Sequence, residues 1–378
     1  MSRMELTPVS PNTLFAQEVG DLASLLKPSI VILQVKPVQE WPAVLADFNR
    51  KHHIRQLQVA GQLFLLVDTF WLWDQLPTIT STPALAGYLT ALQQVATSLK
   101  APHQFQARQF SLDLTAKTQV YGVLNITDDS FYDGGRYLKP EKAIARAQAM
   151  VAHGADVIEL GGQSTRKGYQ EITPEAEIQR VVPVLKAIRA QTPVPIAVDT
   201  YKLPVVEAVL AAGADMINVV KPLTDEPGIL TAVAQAKAGL VIMHTQDGDQ
   251  YTDLLGDIRQ QFATDIEQCL NAGLSKNQLV IDVGLGSVYG KNYEQEYTLL
   301  HELDYFNQLG VATLIAPSHK GFIGKLLDGL PTEQRLVPTM AIFANSAALN
   351  VNFMRAHDIE AAQQTVRIID KIKRSFAY

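Results

Sequence analysis

The sequence predicts an α/β protein in which a (β/α)8 barrel follows a small α/β N-terminal domain. Three observations lead to this prediction. From about residue 115, short apolar runs alternate with longer amphipathic stretches, which is the pattern of strand-then-helix units. Eight such units follow one another, and the roughly 260 residues left for them match the usual size of such a barrel. Each apolar run also ends in a polar or ionisable residue.

The predicted strands are short and rich in β-branched residues. In chain order they read QVYGVLN, DVIEL, PIAVD, DMINVV, LVIMHT, QLVID, TLIAP and VNFMR. Between them, stretches such as KPEKAIARAQAMVAHG and TPEAEIQRVVPVLKAIRA carry apolar residues three and four apart, as amphipathic helices do. The second stretch begins with Thr173 as N-cap and Pro174 at the first helical position, which is a typical helix start.

The strand ends distinguish a barrel from an open doubly wound sheet, which is the alternative fold for this alternation. In a barrel the eight carboxyl ends meet at one rim, the face where such barrels carry their active sites, whereas an open sheet spreads them along a line. Amide, carboxylate and cationic groups recur at these ends. They are Asn125, Glu159, Asp199, Asn218, His244, Asp282, Ser318 with Lys320, and Arg355 with His357. This concentration of polar groups favours the barrel.

The N-terminal domain is assigned to residues 1–110 and the barrel to residues 111–378. Apolar runs at 29–35 and 56–73 and an amphipathic stretch at 84–101 indicate a few strands with a flanking helix. The alternating aromatics of FLLVDTFWLWD are expected to pack in a core or a hairpin. The sequence does not assign this domain a role.

Composition limits the classes of function. The formal charge is −6, from 32 basic and 38 acidic residues, and no dense Lys/Arg block is present, so a nucleic-acid surface is not indicated. The single cysteine, Cys269, excludes an intrachain disulfide and fits a reducing compartment. The sequence has no apolar window as long as the ~18 residues of a membrane span. We therefore expect a cytoplasmic protein that binds neither nucleic acid nor membrane.

Part of the predicted rim suits a phosphate group. Arg166, Arg355 and His357 can donate hydrogen bonds to phosphate oxygens, and arginine does so with a planar fork. Asn125 and Asp133 supply oxygen ligands of the kind Mg²⁺ prefers, few in number and shared with substrate phosphates. A phosphate-bearing ligand with Mg²⁺ is therefore expected at this part of the rim.

Another part of the rim suits a polar heterocycle. The carboxylates of Asp199 and Asp282 can accept N–H groups from a guanidine-like ring edge, the amide of Asn218 can donate and accept, and Lys320 can donate to a ring carbonyl. Taken together, the two parts predict a site for a flat polar ring that carries a phosphate-bearing leaving group.

Six segments of the chain resemble the successive motifs of the dihydropteroate synthase family. In order they are YGVLNITDDSFYDGG, GADVIELGGQSTRKG, PIAVDTYKLPVVEAVLAAGADMINVV, VIDVGLG, APSHKGFIG and RAHDI. The resemblance covers about residues 112–375 and leaves most of the first 110 residues outside it. Its most specific parts are the first two motifs and the closing Arg-x-His.

The resemblance implies a transferase of folate biosynthesis that joins 6-hydroxymethyl-7,8-dihydropterin pyrophosphate to p-aminobenzoate and releases pyrophosphate. It implies catalytic roles for Asp199, Lys320, Arg355 and His357. It places the pterin on Asp199, Asn218, Met243, Asp282 and Lys320, and the pyrophosphate on Arg166, Arg355 and His357. It places p-aminobenzoate near Phe131, Thr165, Arg166, Lys167 and Gly321, and it implies Mg²⁺ on Asn125 and Asp133. A homodimer and a partner enzyme of the folate pathway are further expectations of this kind.

The chain departs from the family pattern mainly on the amine side. Asp128 stands where the family has proline in the first loop, Gln163 and Lys167 replace glutamate and proline in the second, and Gly321 replaces a serine. We expect sulfonamide-type analogues to bind differently from the family norm because Lys167 and Gly321 reshape their pocket. Two other functions stay open at this point. One is a catalytically weakened pterin-binding paralogue that acts as a binding or partner protein, and the other is a folate-dependent methyltransferase on the same barrel.

Overall fold

The structure is a computed structural model that describes residues 5–9, 30–36, 42–59, 61–68, 71–99, 104–126, 140–163, 170–373 and 375. The chain divides into two compact units. One comprises residues 1–101 with 307–310, and the other comprises residues 102–306 with 311–378. Each unit is described separately below.

The N-terminal unit contains a four-stranded antiparallel sheet. Its strands are β1 (Glu5–Val9), β2 (Ile30–Lys36), β3 (Arg55–Val59) and β4 (Gln62–Asp68), in the spatial order β1-β2-β4-β3. Two helices, α1 (Ala43–Lys51) and α2 (Ala86–Leu99), contribute to a shared apolar core with β2 and β4. In that core the buried Tyr88 hydroxyl donates to Asn49 Oδ1 at 2.7 Å, which links α2 to α1. The predicted small α/β N-terminal domain is confirmed.

The second unit is a closed barrel of eight parallel strands, as predicted. The strands are β7 (Gln119–Asn125), β8 (Val157–Gly161), β9 (Ile196–Asp199), β10 (Met216–Val219), β11 (Gly239–Met243), β12 (Leu279–Asp282), β13 (Ala312–Ile315) and β14 (Phe353–Ala356). The barrel closes because β14 pairs with β7. Closure excludes the open doubly wound sheet.

Helices follow the strands around the barrel. They are α3 (Pro140–Ala152), α4 (Pro174–Arg189), α5 (Leu203–Ala211), α6 (Gly228–Ala236), α7 (Leu254–Asn271), α8 (Tyr293–His301), α9 (Gly321–Leu326), α10 (Leu336–Ala348) and α11 (Ile359–Lys373). The predicted start of α4 is confirmed, since Thr173 Oγ1 accepts a hydrogen bond from the backbone N–H of Ala176 at 3.3 Å. The strands are buried on both faces, which explains their nearly continuous apolar sequence.

A short hairpin packs at the amino ends of the barrel strands. It consists of β5 (Gln104–Ala107) and β6 (Phe110–Asp113), which pair antiparallel. The Phe105 ring lies 5.4 Å from that of Phe353 at the start of β14, and a Cβ on Gly239 at the start of β11 would approach Phe105 to 2.5 Å. This apolar packing lies at the opposite end of the barrel from the carboxyl ends, where the site is predicted.

Candidate active site at the barrel rim

Most of the predicted strand-end residues lie at or just beyond the carboxyl ends of the barrel strands. Asn125, Asp199, Met243 and Asp282 are the last residues of β7, β9, β11 and β12, and Arg355 lies within β14. The loops add Lys320 just before α9 and His357 just after β14. Glu159 and Asn218 lie inside β8 and β10 rather than at their ends. The barrel therefore gathers these side chains around one rim and the interior beneath it.

Two buried residues, Glu159 and Asn218, and two partly buried ones, Asp199 and Arg355, form a connected cluster that we call the acid side. Arg355 Nη2 is ion-paired with Glu159 Oε1 and donates to Asp199 Oδ2 at 3.2 Å. Asn218 Nδ2 donates to Glu159 Oε2 at 3.1 Å. One guanidinium thus serves two carboxylates, and one of those carboxylates also holds an amide.

The pKa values of the ionisable groups on the acid side are raised. Burial and then the charge of Glu159 raise the pKa of Asp199 to about 7, against the opposing charge of Arg355. Burial also raises the pKa of Glu159, while Arg355 and the hydrogen bonds of its neighbours counter the rise. The two carboxylates raise the pKa of Arg355 despite its burial, so its charge is permanent.

A second cluster, His244, Asp282, Lys291 and Lys320, is called the lysine side. Lys291 is 1% exposed, and its Nζ contacts His244 Nδ1 at 2.9 Å and donates to the carbonyl oxygens of His244 at 3.2 Å and Tyr289 at 2.8 Å. These three acceptors match the three protons of an ammonium group. The cluster joins the ends of β11 and β12.

Lys320 completes the lysine side from the loop after β13. Its Nζ donates to the carbonyl oxygen of Leu285 and lies 5.3 Å from the centre of the Tyr289 ring. Asp282 is buried at the end of β12 and accepts the backbone N–H of Gly284 at 2.9 Å. A carboxylate acceptor and an ammonium donor are therefore contributed by adjacent strands.

Burial lowers the pKa values of the two lysines, whereas it raises those of the acids. It lowers the pKa of Lys320 to about 8, although the charge of Asp282 opposes the shift. It lowers the pKa of Lys291 to about 7, again against Asp282. Burial, then the charge of Lys291, lower the pKa of His244 to about 3, so this imidazole is neutral. At neutral pH both lysines can still donate hydrogen bonds.

His357 is positioned as a neutral donor beside Arg355. Burial, followed by the charges of His319 and Arg355, lowers its pKa to about 3. Ser318 Oγ accepts the backbone N–H of His357 at 3.3 Å and lies 2.9 Å from His357 Nδ1. The Ser318 hydroxyl and His357 Nδ1 share a hydrogen bond whose direction depends on the tautomer, and in either tautomer the neutral ring carries one N–H donor. Neighbouring His319 Nε2 contacts Asp358 Oδ2 at 2.6 Å, and that pairing raises the pKa of His319 against the effect of burial.

Asn125 and Gly321 stand at more open positions of the rim. A Cβ on Gly161 would come within 2.7 Å of Asn125 Oδ1, so the glycine leaves room for the amide oxygen. Gly321 begins α9 and has no atom within 4 Å of where its Cβ would stand. Within the described part of the chain, no group of three or more His, Cys, Asp or Glu side chains could hold a metal ion.

Five of the predicted site residues lie outside the described residues. They are Phe131, Asp133, Thr165, Arg166 and Lys167. Their assigned roles stay predictions.

The structure adds residues that the sequence-based site omitted. Glu159 was identified only as a strand-end residue, and Lys291 was not selected. Gln163 was noted as a departure, and its Oε1 accepts from Lys202 Nζ at 2.6 Å. The sequence signal for Glu159 is a carboxylate inside an apolar strand, which requires a partner when buried. No comparable signal marks Lys291, which follows a glycine in a loop.

Among the helices that the structure describes, none combines the length and the apolarity needed to cross a membrane.

Comparison with known proteins gives consistent matches. A family model described as "Pterin binding enzyme" matches residues 121–357, from within β7 to just after β14. The dihydropteroate synthase of Synechocystis sp. is 36% identical over 280 residues, covering 72% of this chain and 96% of that relative. Among solved structures, a Yersinia pestis dihydropteroate synthase with a sulfonamide drug gives a TM-score of 0.69 at 35% identity, covering 72% of this chain and all of that one. A Xanthomonas albilineans dihydropteroate synthase with 4-aminobenzoic acid gives a TM-score of 0.68 at 34% identity, covering 72% and 99%.

Proposed function

The chain belongs to the dihydropteroate synthase family of pterin-binding enzymes, which are transferases, and we propose that its barrel joins 6-hydroxymethyl-7,8-dihydropterin pyrophosphate to p-aminobenzoate. The observation that carries the proposal is the rim itself. A donor-and-acceptor set for a flat heterocycle, made of Asp199, Asn218, Asp282 and Lys320, lies beside the cation of Arg355. A pterin ring with an anionic leaving group needs this combination.

In the proposed reaction the amine nitrogen forms a bond to the methylene carbon of the pterin. The bond from that carbon to the pyrophosphate oxygen breaks, pyrophosphate leaves with the electron pair, and the amine loses a proton. Because an aromatic amine is already neutral at pH 7, its attack needs no strong general base. The main task of the protein is therefore to orient the two reactants and to stabilise charge on the leaving group.

Arg355 and His357 are proposed to receive the leaving group. Arg355 keeps its charge, and its Nε has no hydrogen-bond partner among the described residues, so a donor remains for a phosphate oxygen. The neutral imidazole of His357 is proposed to act as a second donor beside it. Arg166 is the third proposed contact to the pyrophosphate. Developing negative charge is stabilised most by such fixed donors in a water-poor site.

The pterin is proposed to lie on Asp199, Asn218, Met243, Asp282 and Lys320. Asp282 offers a carboxylate to ring N–H groups, and Lys320 offers an ammonium to the ring carbonyl. The p-aminobenzoate is proposed to lie near Gly321, Phe131, Thr165, Arg166 and Lys167. The catalytic set proposed is Asp199, Lys320, Arg355 and His357.

Mg²⁺ is proposed on Asn125 and Asp133 with oxygen atoms of the pyrophosphate. The described ligand fits this ion, since Asn125 Oδ1 is a hard oxygen donor at a strand end, and Gly161 leaves space around it. When bound, the ion would shield negative charge on the pyrophosphate.

Partners and location are also proposed. Val337, Ile368 and Ile372 on α10 and α11 are more than half exposed, at 77%, 62% and 61%, which supports a homodimer through these helices. A partner enzyme of the folate pathway is proposed for the N-terminal unit. The buried free thiol of Cys269 is consistent with the cytoplasm.

Pyrophosphate release tests the function. The purified chain is incubated with Mg²⁺, pterin pyrophosphate and p-aminobenzoate, and pyrophosphate is measured with time. Lys320→Met should lower kcat/KM by roughly 100-fold or more, because it removes a donor that holds the ring. Lys325→Met, at an exposed lysine in α9, is the matched control and should retain activity. Tight pterin binding without any pyrophosphate release by the wild type would instead identify a binding protein.

A further inference from the structure

Glu159 lies one step deeper in the barrel than the residues proposed to touch the pterin. The strand register aligns Glu159 with Ala197, whereas Asp199 is aligned with both Gly161 and Asn218. Glu159 is fully buried, and no role at the site has been assigned to it above. Its contacts, however, go to two residues of the proposed site, Asn218 and Arg355.

The contact with Glu159 determines which end of the Asn218 amide is left for a ligand. An ionised carboxylate only accepts hydrogen bonds, so the amide must turn its NH2 group toward Glu159, as the 3.1 Å contact from Nδ2 to Oε2 shows. The opposite orientation would place the amide oxygen against a carboxylate oxygen. Burial raises the pKa of Glu159, and Arg355 opposes this rise and favours the ionised form because its guanidinium is paired with the same carboxylate.

The other end of the amide is an acceptor in need of a donor. Asn218 is 2% exposed, and its Oδ1 has no hydrogen-bond partner among the residues the structure describes. An acceptor buried in this way is costly unless a ligand supplies an N–H or O–H group. A ligand that places a donor at this oxygen would therefore satisfy it, and one that places an acceptor there would not.

We propose that Glu159 is a specificity-determining residue that, by fixing the Asn218 amide, makes the pocket select heterocycles with an amino donor over those with a carbonyl at the same place. This inference rests on the proposed function, since it assumes that the pterin ring lies on Asn218. Glu159 acts through Asn218 and is a positioning residue.

Binding of two probes tests the proposal. 6-Hydroxymethylpterin carries an exocyclic amino group, and 6-hydroxymethyllumazine carries a carbonyl in its place. Calorimetric titration should show that the wild type binds the pterin roughly 10- to 100-fold more tightly, the range expected when a buried polar group is left without its partner. In Glu159→Gln the new amide can donate to Asn218 Oδ1, so the Asn218 amide can turn. The ratio of the two dissociation constants should then fall toward one.

Two further variants separate specificity from stability. Glu177→Gln makes the same change at an equally buried glutamate on α4, which contacts Lys202, and should keep the wild-type ratio. The double variant Glu159→Gln with Asn218→Asp exchanges the donor and the acceptor of this hydrogen bond, because the new glutamine amide can donate to the new aspartate. It preserves the total charge. It should recover most of the selectivity, and it supplies the decisive comparison if the single variant does not fold.

The outcomes distinguish this inference from the proposed function. A ratio unchanged in Glu159→Gln, or a double variant no more selective than the single one, would overturn the inference while leaving pterin binding and pyrophosphate release by the wild type intact. A wild type that binds neither probe and releases no pyrophosphate would contradict the proposed function itself. Equal weakening of both probes would indicate that Glu159 only supports the fold, and would also overturn the inference.

Discussion

The two sides of the barrel rim hold buried charge in opposite ways. On the acid side a single guanidinium, Arg355, serves two carboxylates, and burial raises the pKa values of both acids. On the lysine side two ammonium groups share the field of two buried carboxylates, Asp282 and Glu296, and burial lowers the lysine pKa values to about 7 and about 8.

The comparison shows that the same cause, loss of water, shifts acids and bases in opposite directions. Each side consequently has groups that titrate near neutral pH, although their ordinary pKa values are far apart. What differs is the counter-ion. Arg355 cannot give up its proton, so the acid side depends on it completely, whereas Lys291 and Lys320 can become neutral. The acid side should therefore be the more fragile of the two.

Removing Arg355 should have the largest effect. Arg355→Met leaves the Glu159 and Asp199 carboxylates buried without a cation, which is expected to lower the free energy of unfolding by about 3–5 kcal/mol at pH 7.5 and to abolish pyrophosphate release. The loss should be smaller at pH 5, because both acids have raised pKa values and their protonation as the pH falls removes the unpaired charge. Urea unfolding at the two pH values measures both effects.

Arg367→Met is the matched control, since Arg367 is exposed on α11 and its removal should change stability by less than about 0.5 kcal/mol. A loss for Arg355→Met that is under about 1 kcal/mol, or the same at both pH values, would show that the acid side does not depend on its guanidinium in this way.

The fold could be predicted because its signals are local. QVYGVLN corresponds to β7 from its first residue to its last, and the predicted N-cap at Thr173 is confirmed. The carboxyl ends of the other predicted strands differ from the observed ends by at most two residues; for example, LVIMHT spans 240–245 whereas β11 ends at Met243. The end of a strand depends on pairing with its neighbours, which a single segment does not encode.

The site could be predicted as a set of residue types but not as a network. The rim residues follow from the ends of apolar runs, so Asp199, Asp282 and Lys320 were identifiable. The sharing of Arg355 between Glu159 and Asp199 joins β14 to β8 and β9, and it depends on barrel closure and register. Lys291 donates to backbone carbonyl oxygens, and because every residue has such an oxygen, the sequence does not indicate these contacts.

Lys291→Met should have an intermediate effect that depends on pH. The variant leaves the carbonyl oxygens of His244 and Tyr289 without their ammonium donor, at a cost of about 1–3 kcal/mol. The pKa of Lys291 is about 7 in the folded protein against 10.5 ordinarily. Between these values the unfolded chain binds more protons, so wild-type stability rises with pH by up to about 1.4 kcal/mol per unit. The variant lacks this contribution.

In urea unfolding from pH 6.5 to 9, the free energy of unfolding of the wild type should therefore increase relative to that of Lys291→Met as the pH rises. Lys371→Met, at an exposed lysine on α11, provides the control and should follow the wild-type curve. Parallel curves for wild type and Lys291→Met would mean that Lys291 has the same proton affinity in the folded and unfolded states.

Gly321→Ser should have the smallest effect on stability and a selective effect on ligands. No atom lies within 4 Å of the added Cβ, so the change in stability should stay below about 0.5 kcal/mol. Gly321 follows Lys320 at the edge of the lysine side, where the proposed function places the amine. The serine should therefore alter sulfonamide inhibition several-fold while leaving the KM for pterin pyrophosphate unchanged. The serine variant therefore needs a control at a glycine away from the site. Gly87→Ser, at an exposed glycine of α2 with equal space, should alter neither sulfonamide inhibition nor the KM for pterin pyrophosphate.

If sulfonamides inhibit wild type and Gly321→Ser equally, the edge of the lysine side does not face the amine, and the role of the lysine side is confined to the pterin.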